Sequence, residues 1–266
     1  MPTIDTRKDY DALSALNFSG AKELLKSGLH YQAYLKRERK ETPALRIGSL
    51  THAIVLEPDT VVSRYATAPE LDRRTKDGKA AYEAFVAASA GKTVVSAEEY
   101  ATAEGVAQSM RRAIDELGIT FTATELMATV DYNGVPLKSA IDAVGSDGYL
   151  YDLKTAECAS ARAFLQSVRS YSYNLQAHFY RTVYNIQTGI RPLGFRFIVA
   201  EKSEPYAWAI YEVGPELSAF AVMEFEDAVK RYRSCTELDA WPGYPSEVQV
   251  VDINAKSAAA TPINFA

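Results

Sequence analysis

Three charged side chains stand out in the stretch IDAVGSDGYLYDLKT, residues 141–155, where the rest of the pattern predicts buried strands. Asp142 and Asp152 each occupy a hydrophobic run, and Lys154 follows two residues after the second aspartate. Clustered carboxylates suit a hard, oxygen-seeking ion such as Mg²⁺ or Mn²⁺. One possible chemistry is therefore metal binding by the two aspartates, with Lys154 in a separate role. The alternative is a structural ion pair of Lys154 with the aspartates.

The Gly-Ser-Asp-Gly sequence at 145–148 predicts a turn that folds these two runs into a hairpin. If the turn centres on Asp147, Asp142 and Asp152 lie directly opposite each other, with Cβ atoms roughly 4.5–5.5 Å apart. Side chains alternate along a strand, so Lys154 shares the face of Asp152. Like charges in facing positions destabilise a sheet unless a positive group lies between them. A one-residue slip in the register would separate the groups.

Four other side chains are candidates to join this cluster. His52 and Glu125 offer an imidazole and a carboxylate, and Gln176 and Tyr180 lie four residues apart, on one face of a helix. Each has an ordinary interpretation as well. His52 could be a buried histidine of the core, Glu125 could pair with a base, and Gln176 and Tyr180 could form a helix rim.

Polar and basic residues upstream could contact phosphate. Ser19 precedes GAKELLKSG and is a candidate N-cap, and helix N-termini favour anions. Arg73, Arg74 and Lys76 lie in a basic loop that leads to a helix from about residue 79 to 88. A solvated basic loop is the alternative interpretation of these three residues.

The elements that must position these residues follow from periodicity and turn signals. Helical patterns cover about 10–40 with a break near Gly28, then 44–58, 79–88 and 96–117. Three strand-like runs lie in 124–155, two helices follow at about 160–170 and 173–188, and two strands lie in 193–213. A last helix runs from 216 to about 235, and an irregular tail follows Trp241. The order predicts an α/β fold.

Bulk composition narrows the class of protein. The chain has 266 residues and is 47% hydrophobic, enough for a substantial core. It lacks a continuous apolar run of transmembrane length and an apolar signal-peptide core, so we expect no membrane association and a cytoplasmic location. Its two cysteines, Cys158 and Cys235, are expected to be reduced. The net charge of −5 argues against an extended nucleic-acid surface, but the basic segment 22–46 allows a local one.

The ordered set of motifs resembles the RecB-like branch of the PD-(D/E)XK nuclease superfamily, and most closely the RecE exonuclease domain (exodeoxyribonuclease VIII). The likeness runs from about Asn17 to about Pro245. It is carried by ALRIGSLTHAIVLEP, DRRTKDGKAAYEAF, DLKT and YSYNLQAHFY, which contain His52, Asp152, Lys154, Gln176 and Tyr180. An arginine–proline pair often precedes the first aspartate in that family. Ala140-Ile141 stands there in this chain, which leaves the metal site intact and removes the arginine.

The resemblance implies a single nuclease domain over 1–266, with a helical part at about 10–117, a catalytic part at about 120–235 and a C-terminal tail. It implies a central mixed β-sheet flanked by helices. Its catalytic set would be His52, Glu125, Asp142, Asp152, Lys154, Gln176 and Tyr180, and two Mg²⁺ ions, replaceable by Mn²⁺, would be held by His52, Asp142, Asp152 and the Leu153 carbonyl. Ser19, Arg73, Arg74 and Lys76 would contact DNA.

The activity implied is digestion of linear duplex DNA from 5′ ends, leaving 3′ single strands for an annealing protein of the RecT type. The resemblance also implies a homo-oligomer, a tetrameric ring, and a bacterial, phage or prophage origin. Three alternatives remain open from the sequence. They are an endonuclease on the same fold, a nuclease acting on single strands, and a DNA-end-binding module without activity.

Overall fold

The computed structural model describes residue 4 and the ranges 6–38, 40–72 and 74–249. The N-terminal part is helical, with a 3₁₀ turn at Pro58–Thr60. The predicted break near Gly28 is confirmed, because Ser27 ends one helix and caps the next. The helices of this part are α1 Arg7–Ala12, α2 Phe18–Lys26, α3 Gly28–Lys36, α4 Pro43–Leu56 and α5 Val61–Arg64.

A second break, over residues 13–17, was not predicted. The ammonium of Lys138 lies 2.8 Å from the carbonyl oxygens of both Tyr10 and Leu13, which ends α1. Leu16 then pairs with the sheet, because its N–H donates to the Pro136 carbonyl at 2.8 Å. A buried lysine from a strand therefore anchors the N-terminal helix.

The segment before the main sheet contains α6 Lys76–Ala88 and α7 Ala97–Glu116. Helix α6 starts three residues earlier than predicted because the Thr75 hydroxyl accepts from the Gly78 N–H at 3.0 Å. Lys76 is therefore helical and not part of a loop. Two strands of three residues each, β1 Tyr65–Thr67 and β2 Thr93–Val95, form a parallel pair that the sequence pattern missed. Three residues are too few to show an alternating pattern.

The central sheet has five strands in chain order. Neighbouring strands are antiparallel with one exception. The third and fourth strands are parallel, and two helices connect them. The strands are β3 Phe121–Tyr132, β4 Val135–Gly145, β5 Tyr149–Ala156, β6 Gly194–Glu201 and β7 Trp208–Glu212. The crossover helices are α8 Ala161–Tyr171 and α9 Tyr173–Thr188, and α10 Pro215–Glu237 follows the sheet.

Helices cover both faces of this sheet. Val106 and Met110 of α7 pack on one face against Tyr151 and Leu153, and α4 packs on α7. Helices α2, α9 and α10 build the core on the other face. The predicted class, a central mixed sheet flanked by helices, is confirmed. Among the helices of the described residues, none is both long and apolar enough to cross a membrane.

The tight turns between strands use residues that tolerate positive φ. Asn133 and Gly134 have φ of 52° and 83° and connect β3 to β4, as the Asn-Gly signal predicted. Between β4 and β5, the Gly148 N–H donates to the Gly145 carbonyl at 3.2 Å, and Gly148 has a φ of 82°. This second turn sets the register of the strand pair that carries both aspartates.

Substituting Gly148 with alanine should lower the free energy of unfolding by about 1–2 kcal/mol, because a Cβ is unfavourable at positive φ and would lie 3.2 Å from Leu193 Cγ. Urea denaturation measures the effect. Gly48→Ala is the matched control, since Gly48 lies inside helix α4 and a Cβ there would meet only Thr155 Oγ1, at 3.7 Å. Equal stability of the Gly148→Ala and Gly48→Ala proteins would contradict the turn geometry.

Candidate active site

Three carboxylates form one row across three neighbouring strands. Asp142 of β4 lies between Glu125 of β3 and Asp152 of β5, as the register of the flanking pairs fixes: Thr124↔Ala143 and Leu126↔Ile141 on one side, Ala143↔Tyr151 and Val144↔Leu150 on the other. The predicted hairpin register is therefore confirmed. The sequence analysis did not place Glu125 opposite Asp142.

The strands do not pair regularly along this row. Glu125 has a φ of 49°, in the left-handed region that a residue with a long side chain rarely adopts. Asp142 makes no ladder pair with Glu125 or Asp152, although its neighbours are paired. Instead, its Oδ2 accepts from the backbone N–H of Leu153 at 2.8 Å. The sheet thus opens where the carboxylates meet, and their side chains face a common cleft.

His52 reaches this row from α4, which lines the same cleft. Its Nε2 lies 2.8 Å from the Leu153 carbonyl oxygen, and its Nδ1 lies 3.4 Å from Asp142 Oδ2. A carbonyl oxygen can only accept, so Nε2 carries the proton. Burial lowers the pKa of His52, which keeps the ring neutral near pH 7. Nδ1 then presents a lone pair to the carboxylate.

The donor set at this point fits a divalent cation. Ligand atoms of His52, Glu125 and Asp142 all lie within 4.8 Å of one another. Once Asp142 is ionised, its oxygen and the neutral imidazole nitrogen that faces it at 3.4 Å are both acceptors, and a cation between them removes the conflict. The hydrogen bond from Nε2 to a carbonyl is also the outer-shell contact that orients histidine ligands of metals.

The converging atoms differ from the set that the resemblance implied. Glu125 joins His52 and Asp142, whereas Asp152 is adjacent to them and already engaged. Gln176 of α9 donates from Nε2 to Asp152 Oδ2 at 2.7 Å, and the Lys154 ammonium pairs with Asp152 Oδ1. The Leu153 carbonyl accepts from His52. Asp152 and Leu153 therefore lie beside the group formed by His52, Glu125 and Asp142, and contacts with other residues hold them.

Lys154 is a charged group enclosed by protein. Burial alone would lower its pKa, but the carboxylate of Asp152, with Tyr173 and Asp142, outweighs that effect and raises the pKa. The side chain therefore stays protonated at neutral pH. Asp152 is only 2% exposed, so Lys154 and Gln176 take the place of water around its carboxyl group.

Tyr180 lies one turn after Gln176 and lines the same cleft, which confirms the shared helix face. Burial, followed by the charge of Asp152, raises the pKa of Tyr180 well above its usual range. Its hydroxyl is therefore neutral. The ring packs edge-on against Phe18 at 6.4 Å and Phe195 at 6.0 Å.

The cleft has a volume of about 930 Å³, and all seven predicted catalytic residues line it. Ser19 lines it too, but the predicted capping role is wrong: Asn17 caps α2, and its Oδ1 accepts from the Gly20 N–H at 2.7 Å. Ser19 lies in the first helical turn. Arg74 and Lys76 are exposed and do not line the cleft. Arg73 lies outside the described residues.

Tyr173 and Arg7 also line the cleft, although neither was among the predicted site residues. Tyr173 precedes Gln176 by three residues, and that helical spacing could have identified it. Arg7 is close enough to lower the pKa of both Glu125 and Asp142. No local sequence signal could have found Arg7, because the place of α1 depends on the distant Lys138.

The carboxylates resist ionisation in the absence of a cation. Burial, followed by the charge of Asp142, raises the pKa of Glu125 to about 7. Burial, followed by the charge of Asp152, raises the pKa of Asp142 well above its usual range. Both effects disfavour the negative charge. Ionisation of this group at neutral pH therefore costs folding free energy.

Known proteins resemble this chain at the level of family and fold. The profile of a PDDEXK-like domain of unknown function (DUF3799) matches residues 17–254. A "Putative exonuclease" from Eubacterium rectale has a similar fold, with a TM-score of 0.64 and 14% identity over 95% of this chain and 96% of that chain. The alkaline exonuclease LHK-Exo of Laribacter hongkongensis is more distant, with a TM-score of 0.33 and 16% identity over 72% of this chain and 96% of that chain. No curated protein matches the chain.

In EDTA, the wild-type protein should lose stability as the pH rises from about 4.5 to 7. The unfolded glutamate ionises near its ordinary pKa of about 4.3, while folded Glu125 stays protonated up to about pH 7. Glu125→Gln should reduce this loss and raise the free energy of unfolding at pH 8 by about 2 kcal/mol. Urea denaturation at several pH values measures both effects.

The control for this experiment is Glu116→Gln on α7, which changes an exposed carboxylate and should keep the wild-type pH dependence. Identical pH slopes for wild type and Glu125→Gln would show that Glu125 is not protonated in the folded protein.

Proposed function

Because the chain belongs to the family of PDDEXK-like domains of unknown function (DUF3799), we propose that it is a divalent-metal-dependent nuclease that hydrolyses phosphodiester bonds of DNA. One observation carries the proposal. A group of metal-ligand atoms from His52, Glu125 and Asp142 lies next to a protonated lysine, Lys154, in one cleft. A purely structural ion-pair network would need no neutral imidazole aimed at a carboxylate.

The residues that would hold the cation are His52, Glu125 and Asp142, with Asp152 and the Leu153 carbonyl at the border of the group. Mg²⁺ is the expected ion, with Mn²⁺ as a substitute and two ions per site, because carboxylate and carbonyl oxygens dominate the donors. When bound, the metal lowers the pKa of a coordinated water and neutralises charge on the phosphate.

The chain's own groups order the reaction around that water. The ammonium of Lys154 lies on the cleft side of Asp152, where it orients the nucleophilic water and balances negative charge that develops on the phosphate. Gln176 holds Asp152 in place through its 2.7 Å hydrogen bond. The neutral hydroxyl of Tyr180 is available to donate to a phosphate oxygen of the cleaved strand.

The proposed substrate is an end of linear duplex DNA, digested from the 5′ terminus to leave a 3′ single strand. The position of Ser19 supports this substrate: it lies in the first turn of α2 and faces the cleft. Free N–H groups and the helix dipole favour a phosphate at such a place. Arg74 and Lys76, exposed outside the cleft, are assigned to contacts with the DNA backbone away from the cleaved end. Arg73 is assigned with them.

The wider setting of the activity follows the same proposal. The 3′ strand would pass to a single-strand annealing protein of the RecT type, and the enzyme would act as a homo-oligomer, with a tetrameric ring as the expected form. The proposal also places the enzyme in the bacterial cytoplasm and its gene in a phage or prophage.

Asp152→Asn and Lys154→Met should each reduce Mg²⁺-dependent digestion of linear duplex by more than about 10³-fold, since Lys154→Met removes the positive charge that balances the phosphate and Asp152→Asn removes the carboxylate that holds Lys154 beside the cation site. Asp115→Asn and Lys230→Met change exposed residues of the same types and should retain activity. The assay uses duplex labelled separately at the 5′ and 3′ ends, with a closed circle in parallel.

Near-normal digestion by both active-site variants would overturn the proposed function. Cleavage of the circle would identify an endonuclease, and release of the 3′ label first would reverse the proposed polarity. Absence of any Mg²⁺ or Mn²⁺ binding by calorimetry would favour a DNA-end-binding module without activity.

Ser19→Ala should reduce the preference for a 5′-phosphorylated end over a 5′-hydroxyl end by about tenfold, because hydrogen bonds to charged groups are strong. Initial rates on the two substrates measure this preference. Ser49→Ala removes another hydroxyl that lines the cleft and is the matched control. If the preference is unchanged in Ser19→Ala, Ser19 does not bind the terminal phosphate.

A further inference from the structure

The ammonium of Lys154 is enclosed on more than one side. Asp152 Oδ1 pairs with it, and the ring of Tyr173 lies on another side with its centroid 4.7 Å from Nζ. The ring of Phe197 is 5.9 Å away. Both distances fall within the range of cation–π attraction, which favours a charged ammonium over an aromatic face. Two rings and one carboxylate therefore define where this nitrogen can lie.

The Tyr173 ring is itself fixed by neighbours. It stacks on Phe164 at 6.0 Å, on Tyr171 at 5.5 Å and on Phe197 at 5.4 Å, with interplanar angles below 30°. Its hydroxyl makes no hydrogen bond with the described residues, and the cation lies over the ring face. The direct contact with Lys154 is therefore made by the aromatic face, while the phenol oxygen lies near enough to contribute to raising the pKa of Lys154.

The backbone before Tyr173 shows why the ring lies there. Ser172 ends α8 and starts α9 with φ 58° and ψ 44°, a left-handed conformation that is unfavourable for a residue other than glycine. Its side chain makes no capping hydrogen bond. This corner sets the angle at which α9 starts, so Tyr173 lies over Lys154 while Gln176, one turn later, contacts Asp152.

We propose that Tyr173 is a positioning residue of the nuclease reaction, whose aromatic face holds the Lys154 ammonium at the site of the reacting phosphate. The inference rests on the proposed function for the role of Lys154, but the contact itself does not. A free lysine side chain samples many rotamers, and two rings with one carboxylate restrict it to a narrow range. Loss of the face should therefore slow the chemical step and leave DNA binding unchanged.

The kinetic test compares three variants on linear duplex DNA. Tyr173→Met replaces the ring with a smaller, flexible apolar side chain without a π face and should lower kcat about tenfold with KM unchanged, the scale of a desolvated cation–π contact. Tyr173→Phe keeps the face and should stay within about twofold of wild type. Tyr244→Met, the matched control, makes the same substitution at an exposed tyrosine that does not line the cleft. It should also remain close to wild type.

A second readout needs neither DNA nor metal. The ε-methylene NMR signals of Lys154, assigned by their loss in Lys154→Met, should be shifted upfield by the ring current of Tyr173. The shift should persist in Tyr173→Phe and diminish in Tyr173→Met. If Tyr173→Met does not fold, Tyr173→Leu replaces it in both measurements. This readout remains valid even if the protein proves to have no nuclease activity.

Three results would overturn the inference. Unshifted ε-methylene signals in the wild type, or signals that do not change in Tyr173→Met, would show that the ring does not hold the ammonium. An equal loss of kcat in Tyr173→Phe and Tyr173→Met would assign the function to the hydroxyl. An inactive wild type with the expected NMR shifts would overturn the proposed function and leave the contact established.

Discussion

Repulsion among three adjacent carboxylates is the constraint on which the rest of the site depends. Glu125, Asp142 and Asp152 lie in one row across the middle of a sheet, where burial weakens the screening that water would provide. The chain accommodates them by opening the strand pairing and twisting Glu125 into a left-handed conformation. Such a group is costly for folding alone, and the cost is understandable if the row is built to receive a cation.

The surrounding helices and strands give the three carboxylates two different roles. Lys154 and Gln176 neutralise and fix Asp152, so this carboxylate has its partners within the protein. Asp142 accepts from the Leu153 N–H, and Arg7 acts on Glu125 and Asp142 from a distance. Neither carboxylate has a lysine or amide side chain bonded to it among the described residues, and the neutral ring of His52 adds an acceptor beside them. One carboxylate is thus structurally satisfied, while two remain available. This division follows from which side chains reach the row: Gln176 of α9 bonds Asp152, whereas His52 of α4 faces Asp142 and bonds the Leu153 carbonyl.

The local parts of this arrangement could be predicted from the sequence, and the long-range parts could not. The hairpin register followed from one turn, Gly145 to Gly148, and the Gln176–Tyr180 face followed from helical spacing. The pairing of Glu125 with Asp142 required the register of the preceding hairpin, which the sequence analysis did not work out. The start of α2 was misassigned because Asn17 and Ser19 are both good capping residues, and only the backbone decides between them.

The hydrogen bond between His52 and the Leu153 carbonyl joins residues 101 positions apart, whereas Asp152, Lys154 and Gln176 come from one contiguous strand and crossover helix. The two parts of the site can therefore differ in local stability. A transient undocking of α4 would remove the histidine and leave the lysine part assembled, because the latter depends on neighbouring segments of the chain. Hydrogen exchange would show whether the amides of α4 exchange faster than those of β5 and α9. The affinity for a cation would then depend on whether α4 is docked. Lys154 and Asp152, which act near the phosphate, would stay in place when α4 undocks.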